Sequence, residues 1–498
     1  MRIFLVSCRT VDTPFPAQRL KGRRIVFVLG NLELGGAERQ ALILARHLAE
    51  HEQAHVEVWG FNQSGPVAES CKRHGITSRV VPYPVKAGSL SRLAGALKVA
   101  RLLREVRPDV LLPYTLAPNV VCGLVWKWTG AQLCVWNQRD EGIFPVTSWW
   151  QRWAVKRTPR FISNSHAGAR YLIERLNVDP AKVEVIRNGF EGSQTELDRK
   201  EWRQRLEIDD SSFVACMVAN LHTNKDHATL LKAWGVVSNA LEQERRSAVL
   251  VLAGKQYGAY ESLVALTRSL KLDHSVRFTG QVSDVAGLLS AVDIGVFSSR
   301  SEGCPNGVLE CMAAGLPVAG TDIDGVREVV GDAGRSLLAP PGNADALAQI
   351  ILRLAHDPDL CVKIGDQNRK RIAQEYDARR MCEDTVSIVG AALPVRPVRD
   401  ITMYIKQRLF ALVLIVACAG MVYYGWHRLW QEGVYSLKMA TFAPVGVIGG
   451  FFLLLFPTMG GKPNTTKEKV IVLVVFVIGL VAGLINWFLM DPGFFGYN

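Results

Sequence analysis

Glu302 and Glu310, two glutamates with seven residues between them, are placed where they could do chemistry. Gly303, Pro305, Asn306 and Gly307 lie between them and form a turn-rich cluster. An apolar run, Asp293 to Phe297, reads as a strand that stops just before this cluster. Val308 to Ala314 reads as a short helix ending at Gly315, and Leu316 to Gly320 as the next strand. Free amides at a helix start carry partial positive charge and suit a phosphate, so Asn306, Gly307, Val308 and Leu309 make an anion cradle. Gly303 and Gly307 let a ligand approach the backbone closely. Glu302 falls at a strand end, on the rim where open α/β sheets hold ligands. Glu310, in the first helical turns, is suited to accept hydrogen bonds from hydroxyls. A ligand carrying both phosphate and many hydroxyls, such as a nucleotide sugar, fits this arrangement.

Parallel sheets must position these residues. Arg24 to Gly30 reads as a buried strand leading into Gly35-Gly36 and then a helix, Arg39 to Glu50. The glycine pair suits close approach to a phosphate or an acceptor, but it is neither a G-x-G-x-x-G fingerprint nor a P-loop. Further strands are expected at His55–Phe61, Val80–Pro84, Asp109–Tyr114, Leu133–Asn137, Phe161–Ser165 and Val183–Arg187. Continuous apolar runs alternating with helices argue for a parallel sheet covered on both faces. The Asn188-Gly189-Phe190 turn and the polar residues after it mark a boundary. A second α/β unit follows, with strands expected at Phe213–Ala219, Ala248–Ala253, Val276–Thr279, Asp293–Phe297, Leu316–Gly320 and Arg335–Leu338. Lys225 sits in the strand-to-helix turn after its first strand, a position for a diphosphate ligand; taken alone it reads more readily as a solvated lysine at a helix start. Gln281 and Val282 follow a strand on the same rim, and Gly254 and Lys255 end another and could line the pocket too.

The net charge of +12 points to nucleic acid, a membrane surface or anionic substrates. No zinc finger, RRM-type motif or basic tail supports nucleic acid. The ten cysteines are scattered without a C-x-x-C pair, as expected for reduced, mostly buried thiols. Residues 1–22 read as an irregular extension; the apolar run Ile3–Val6 is too short for a signal peptide. After Pro394 and Pro397, three apolar stretches, Phe410–Trp426, Met439–Phe456 and Val470–Met490, approach the ~20 residues that cross a bilayer. Lys406 and Arg408 precede the first, and Lys462, Lys467 and Lys469 lie between the second and third. The positive-inside rule then gives cytoplasmic catalytic domains in a multi-pass inner-membrane protein with an exterior C-terminus.

Glu302 and Glu310 form an E-x(7)-E pattern. Together with Gly315-Leu316-Pro317-Val318 and its continuation to Val330, it resembles the large family of retaining, two-domain GT-B glycosyltransferases (glycosyl transferases group 1, family 4). The resemblance covers roughly residues 22 to 392. It implies an α/β GT-B fold: a Rossmann-like acceptor domain at 23–192, a Rossmann-like donor domain at 193–375 and a helix returning to the first domain at 376–392. A linker at 393–408 and three transmembrane helices within 409–491 would complete the chain. It further implies Lys225 and the Asn306–Leu309 amides on the diphosphate, Glu310 on the ribose, Glu302 on the transferred sugar, and Gln281 and Val282 at the nucleobase. The Gly35-Gly36 loop would line the cleft from the other side. No metal and no cofactor beyond the donor are expected.

This sequence departs from the family pattern in two places. Asn220 stands where an Arg is common, with His222 and Arg300 as candidate substitutes. The family's N-terminal-domain His is absent, with Tyr114 and Asn119 in that region. Arg139, after a strand, is a candidate for an anionic acceptor. The implied activity is a membrane-anchored retaining hexosyltransferase, with a nucleotide-diphosphate sugar as donor and a lipid-linked or membrane-bound glycan as acceptor, in cell-surface glycan assembly. The alternatives are a sugar-nucleotide epimerase-like enzyme and a non-enzymatic membrane scaffold with a degenerate transferase domain. The residues name neither sugar, base, acceptor nor oligomeric state.

Four other features have plainer readings. Ser91 to Arg107 reads as a basic helix, suited either to anionic lipid or to an ordinary surface. Trp149, Trp150 and Trp153 cluster within about one face at helical spacing and are expected to pack in the core, with a membrane interface as the alternative. Asp322 and Asp324 read as turn and cap residues rather than metal ligands. His166 reads as a neighbour of a helix cap rather than a base.

Overall fold

The computed structural model describes residues 19–85, 87–143, 145–192, 195–394, 401–456 and 466–495. The chain divides into two compact units, Met1–Pro394 and Val395–Asn498.

The first unit contains two parallel sheets. Strands β1 (Arg24–Leu29), β2 (His55–Phe61), β3 (Thr77–Val81), β4 (Val110–Pro113), β5 (Leu133–Gln138), β6 (Arg160–Ser163) and β7 (Val183–Val185) form the first, in the order β3-β2-β1-β4-β5-β6-β7. Strands β8 (Phe213–Val218), β9 (Ala248–Ala253), β10 (Val276–Gly280), β11 (Ile294–Phe297), β12 (Val318–Thr321) and β13 (Leu338–Ala339) form the second, in the order β10-β9-β8-β11-β12-β13. Side chains alternate across a strand, so Ile25, Phe27 and Leu29 enter one core layer of the first sheet and Val26 and Val28 the other. Both faces are covered by helices, which is why the strands carry unbroken apolar runs.

Each sheet reverses its strand order once, between β1 and β4 and between β8 and β11. Loops at such a switch point splay apart and leave a crevice for ligands. The loops after β1, β8 and β11 hold Gly35-Gly36, Lys225 and Glu302.

The helix Ala378–Ala392 packs on the first sheet, with Met381, Cys382, Val386 and Val389 in one core with Ile25 and Leu44. Burying each such side chain is worth roughly 1.5–3 kcal/mol. The crossing is pinned by the Phe190 amide donating to the Tyr376 carbonyl at 2.6 Å. Gln40 also brackets Gly189, donating to its carbonyl and accepting from its amide, both at 2.8 Å.

Several expected boundaries move. The strand expected at Val80–Pro84 lies at Thr77–Val81, because Pro82 and Pro84 have no amide for the ladder. The strand expected at Arg335–Leu338 is a 3-10 turn over Arg335–Leu337 followed by the two-residue β13. Trp150 is buried as expected, but Trp149 and Trp153 are 75% and 41% exposed. They share the outer face of the Trp149–Arg157 helix one turn apart. Of the extension expected at 1–22, residues 1–18 lie outside the described residues, and 19–22 form a turn with Leu20 buried. The nine described cysteines are all free thiols.

The second unit is three long apolar helices packed together, Ile401–Glu432, Leu437–Leu455 and Thr466–Met490. Stretches Ile405–Glu432, Leu437–Leu455 and Lys469–Met490 are each long and apolar enough to cross a membrane. The first helix begins at Ile401, inside the stretch expected as linker; residues 395–400 and 457–465, including Lys462, lie outside the described residues. It also runs past Trp426, because Arg428 and Glu432 pair one turn apart and continue it. Asn486 ties the bundle, accepting from Trp426 Nε1 at 3.0 Å and donating to the Ala440 carbonyl at 2.9 Å.

Candidate functional site

Lys225 lies in a 3-10 turn, Thr223–Lys225, between β8 and the His227–Gln243 helix. Its ammonium pairs with Glu302 Oε1, which also accepts from Ser299 Oγ at 2.8 Å. Ser298 donates to the Lys225 carbonyl at 3.1 Å, and Ser299 shares its one hydroxyl proton between Glu302 and the Asn224 carbonyl, 2.9 Å away, which fixes the two loops together. The β8 and β11 loops therefore form one rigid corner, with an ammonium and a carboxylate side by side.

The helix Asn306–Ala313 opens against this corner. Gly307 abuts the Val218 carbonyl so closely that a Cβ there would collide with backbone. Gly303 is likewise confined, since its Cβ would stand 2.9 Å from the Arg139 carbonyl oxygen. Val308, Leu309 and Glu310 are buried. Burial pushes the Glu310 carboxyl up from its ordinary range, opposed by the charge and hydrogen bond of Arg39. Arg39 belongs to the Gly36–Glu50 helix of the opposing lobe and pairs directly with Glu310.

The two lobes meet at several of the expected residues. Asn306 Nδ2 donates to the Gly36 carbonyl at 3.1 Å, which sets the Gly35-Gly36 loop against the helix start. Asn188 donates to Asn306 Oδ1 at 2.7 Å and to the Cys304 carbonyl at 2.9 Å, and accepts from Arg139 at 2.9 Å. The Arg139 guanidinium lies over the Tyr114 ring at 5.1 Å. Burial lowers its pKa, while Tyr114, Cys304 and Glu38 act the other way. Glu38 is itself pushed up by burial, with Arg139 opposing. Glu141 faces Glu302 from the first lobe; burial raises its carboxyl, a hydrogen bond with Ser301 lowers it, and the charges of Asp324 and Glu302 raise it again.

Other expected residues take different places. Asn220 Oδ1 accepts from the Lys255 amide at 3.1 Å, so its side chain braces the β8 loop to the β9 loop. The candidate substitutes are also engaged: His222 Nδ1 accepts from the Asn224 amide at 3.3 Å, and Arg300, 71% exposed, stands 3.5 Å from Asp226. Lys255, beside Asn220, brings a second ammonium to the rim. It pairs with Glu33 of the opposing lobe at 2.9 Å, a hydrogen bond that raises its pKa. Gln281 and Val282 follow the edge strand β10, two strands from the switch point, and flank a cavity of about 380 Å³ with Trp202 and Phe278.

Asp322 and Asp324 are both held by Arg327 at 2.7 Å, and Asp324 also by Arg170. No group of three or more His, Cys, Asp or Glu side chains arranged to hold a metal occurs among the described residues. His166 starts a helix capped by Ser165, and its ring and amide both bond Glu328 across the lobes, at 2.8 and 2.9 Å. Burial pushes the Glu328 carboxyl up, but the His166 hydrogen bonds and the His166 and Arg187 charges outweigh it and hold it below its ordinary range.

Arg39, Asn188 and Glu33 are the residues that sequence reasoning did not place in the site, whereas Lys255 was expected to line it from its place at a strand end.

Two doubly wound parallel sheets facing each other at their switch points define the GT-B architecture. The structure of Anabaena HepE with UDP-glucose shares it: TM-score 0.64, 21% identity, covering 74% of this chain and all of that one. Two family models match, Glycosyltransferase Family 4 over residues 34–193 and Glycosyl transferases group 1 over residues 198–371. TuaC of Bacillus subtilis (strain 168), a glycosyltransferase named for teichuronic acid biosynthesis, is 31% identical over 314 residues, 60% of this chain and 75% of that one. The chain belongs to the group 1/family 4 glycosyltransferases. The UDP-Gal:alpha-D-GlcNAc-diphosphoundecaprenol alpha-1,3-galactosyltransferase of Escherichia coli is 26% identical over 308 residues, 59% of this chain and 79% of that one. EpsD of Bacillus subtilis is 32% identical over 196 residues, 39% of this chain, and this chain spans only half of its length.

Proposed function

We propose that this chain is a membrane-anchored, retaining transferase that moves a hexosyl group from a nucleoside-diphosphate sugar to a lipid-linked acceptor during glycan assembly. The observation that carries the reading is the corner where Lys225, Glu302 and the Asn306–Leu309 helix start converge. Lys225 and the helix amides hold the diphosphate and stabilise the charge that develops as it leaves. Lys255 supplies the second cation that Asn220 does not. Glu310, released from Arg39, holds the ribose hydroxyls, and Glu302 those of the transferred sugar. Gln281 and Val282 face the base.

The anomeric carbon–oxygen bond to the diphosphate breaks, and the acceptor oxygen bonds to the same carbon from the same side. The acceptor proton passes to the released diphosphate. Closure of the lobes keeps water out. Arg139, Tyr114 and the Gly35-Gly36 loop line the acceptor side. The three apolar helices and the lipid diphosphate of the Escherichia coli relative's substrate support a lipid-linked acceptor. Lys406, Arg408, Lys467 and Lys469 flanking the spans favour cytoplasmic lobes and an exterior C-terminus.

The test incubates the purified full chain with a panel of nucleoside-diphosphate sugars and polyprenyl-diphosphate-linked sugars. A glycosylated lipid with retained configuration is expected. Donor epimerised without acceptor, or no nucleotide affinity by calorimetry, overturns the reading.

A further inference from the structure

Three helices cover one face of the first sheet: Ser89–Val106, Leu116–Thr129 and Trp149–Arg157. Their inner sides share one core, which includes Val99, Val121, Trp150 and Ala154. Their outer sides are unusually apolar. Leu90, Leu93 and Leu97, at helical spacing on one stripe, are 86%, 41% and 51% exposed. Trp149, Trp153 and Trp128 are 75%, 41% and 47% exposed. The Arg157 guanidinium lies between two of these indoles, 4.7 Å from the Trp153 ring and 5.6 Å from the Trp128 ring, so the neighbouring helices present a single patch.

The charge on these helices has one sign. They carry eight Lys and Arg residues against a single acid, Glu105. Among the described residues none of the eight is in an ion pair, whereas Arg39, Arg187 and Arg327, where the lobes meet, each are. Exposed indoles interleaved with unpaired cations match a bilayer interface, where the ring sits at headgroup depth and the cation meets lipid phosphate. A protein partner of ordinary chemistry would call for acids as well as bases around an apolar centre.

Topology adds a second argument. Each helix follows a parallel strand, so it starts at the rim that carries the cleft and runs back along the sheet. Leu90 and Trp149 therefore stand at the cleft end, and the segment from Arg139 to Ser148 joins the cleft to Trp149.

We propose that this face rests on an anionic lipid bilayer, with Trp128, Trp149 and Trp153 in the interface and Arg152, Lys156 and Arg157 on lipid phosphates. The contact would hold the acceptor side of the cleft at the depth where a lipid-borne headgroup emerges. It requires no particular donor or acceptor, so its test is separate from that of the transferase reading.

The test uses the full chain in nanodiscs and a water-soluble maleimide. Ala94→Cys and Trp149→Cys report on the face, Glu261→Cys on the second lobe, and the unsubstituted chain supplies the background. Each cation facing an anionic leaflet strengthens contact by about fivefold. Labelling at 94 and 149 should therefore slow at least about fivefold in phosphatidylglycerol discs relative to phosphatidylcholine discs, and recover at high salt. Labelling at 261 should not change. Arg152→Glu with Lys156→Glu should return labelling in anionic discs to the neutral-disc rate without moving Tm. Equal labelling in both discs, slowing that persists in the charge-reversed protein, or slowing that tracks protein concentration instead of lipid charge each overturns the proposal.

Discussion

Replacing Glu302 with Gln separates the roles given to Lys225 and Glu302. The amide keeps the volume of the side chain and can still accept from Ser299 Oγ, 2.8 Å away in the wild type. The loss is the charge beside Lys225. If Glu302 holds the transferred sugar, the substitution removes a charge-assisted hydrogen bond, worth about 1.5–3 kcal/mol. That corresponds to a fall in kcat/KM of roughly 10- to 150-fold. Lys225 responds in the opposite sense. Freed from its carboxylate, it is more available to phosphate, so the nucleoside diphosphate should bind as tightly as before or more tightly. Initial rates over a range of donor concentrations, with calorimetric titration of the nucleotide on the same preparation, read both effects. The assignment fails if kcat/KM stays within about threefold of wild type. It fails equally if nucleotide affinity falls in step with the rate while Tm is unchanged, which would place Glu302 on the nucleotide.

Further substitutions probe the rest of the site. Gly307→Ala drives a methyl group into the Val218 carbonyl; thermal unfolding should show a loss of about 1–3 kcal/mol and calorimetry a loss of nucleotide binding, and an unshifted Tm contradicts the close packing. Lys255→Met should raise the donor KM about two- to fivefold, and Glu33→Gln, which releases Lys255, should lower it; a KM indifferent to both removes Lys255 from the site. His227 is buried beside Lys225, with neither ring nitrogen hydrogen-bonded among the described residues. Burial, then the Lys225 charge, depress its pKa to about 4. The unfolded chain therefore binds this proton first, and stability falls as pH drops from about 6.5 through 4, by about 3 kcal/mol in all. In denaturant titrations across that window His227→Leu should lose this slope relative to wild type; parallel curves contradict it.

Much of the fold was legible because strands buried on both faces have no polar positions. Residues 25–29 and Ala248–Ala253 are apolar runs rich in β-branched residues and too short for a buried helix, so length and flanking turns select a strand. The expected strand at Val80–Pro84 slipped because β3 is an edge strand with only Val81 buried, so apolarity did not mark it and the prolines did. The glycine cluster between Glu302 and Glu310 was legible as a helix start because the surrounding order is local. Arg39 on Glu310 and Lys255 on Glu33 join residues 271 and 222 positions apart, and no local pattern encodes such pairings. Asn220 illustrates the same limit. Its type shows that a guanidinium is missing, but only the β8–β9 register shows that its amide holds the Lys255 backbone. For the tryptophans, spacing suggested one cluster packed in the core, but the neighbouring helices cover only Trp150 and leave Trp149 and Trp153 exposed on another face.

The helix Ala378–Ala392 finishes a layer whose strands begin at Arg24, so the ribosome must make more than three hundred and fifty residues before that layer can close. Until then Ile25, Leu44 and their neighbours await a cover that the nascent chain does not yet contain. The first half is thus not a module that can be moved alone, and a fragment of residues 23–192 should aggregate on expression where 19–394 stays dispersed. Cutting between the halves without breaking the enzyme would call for carrying this helix along, as a separate peptide or by circular permutation.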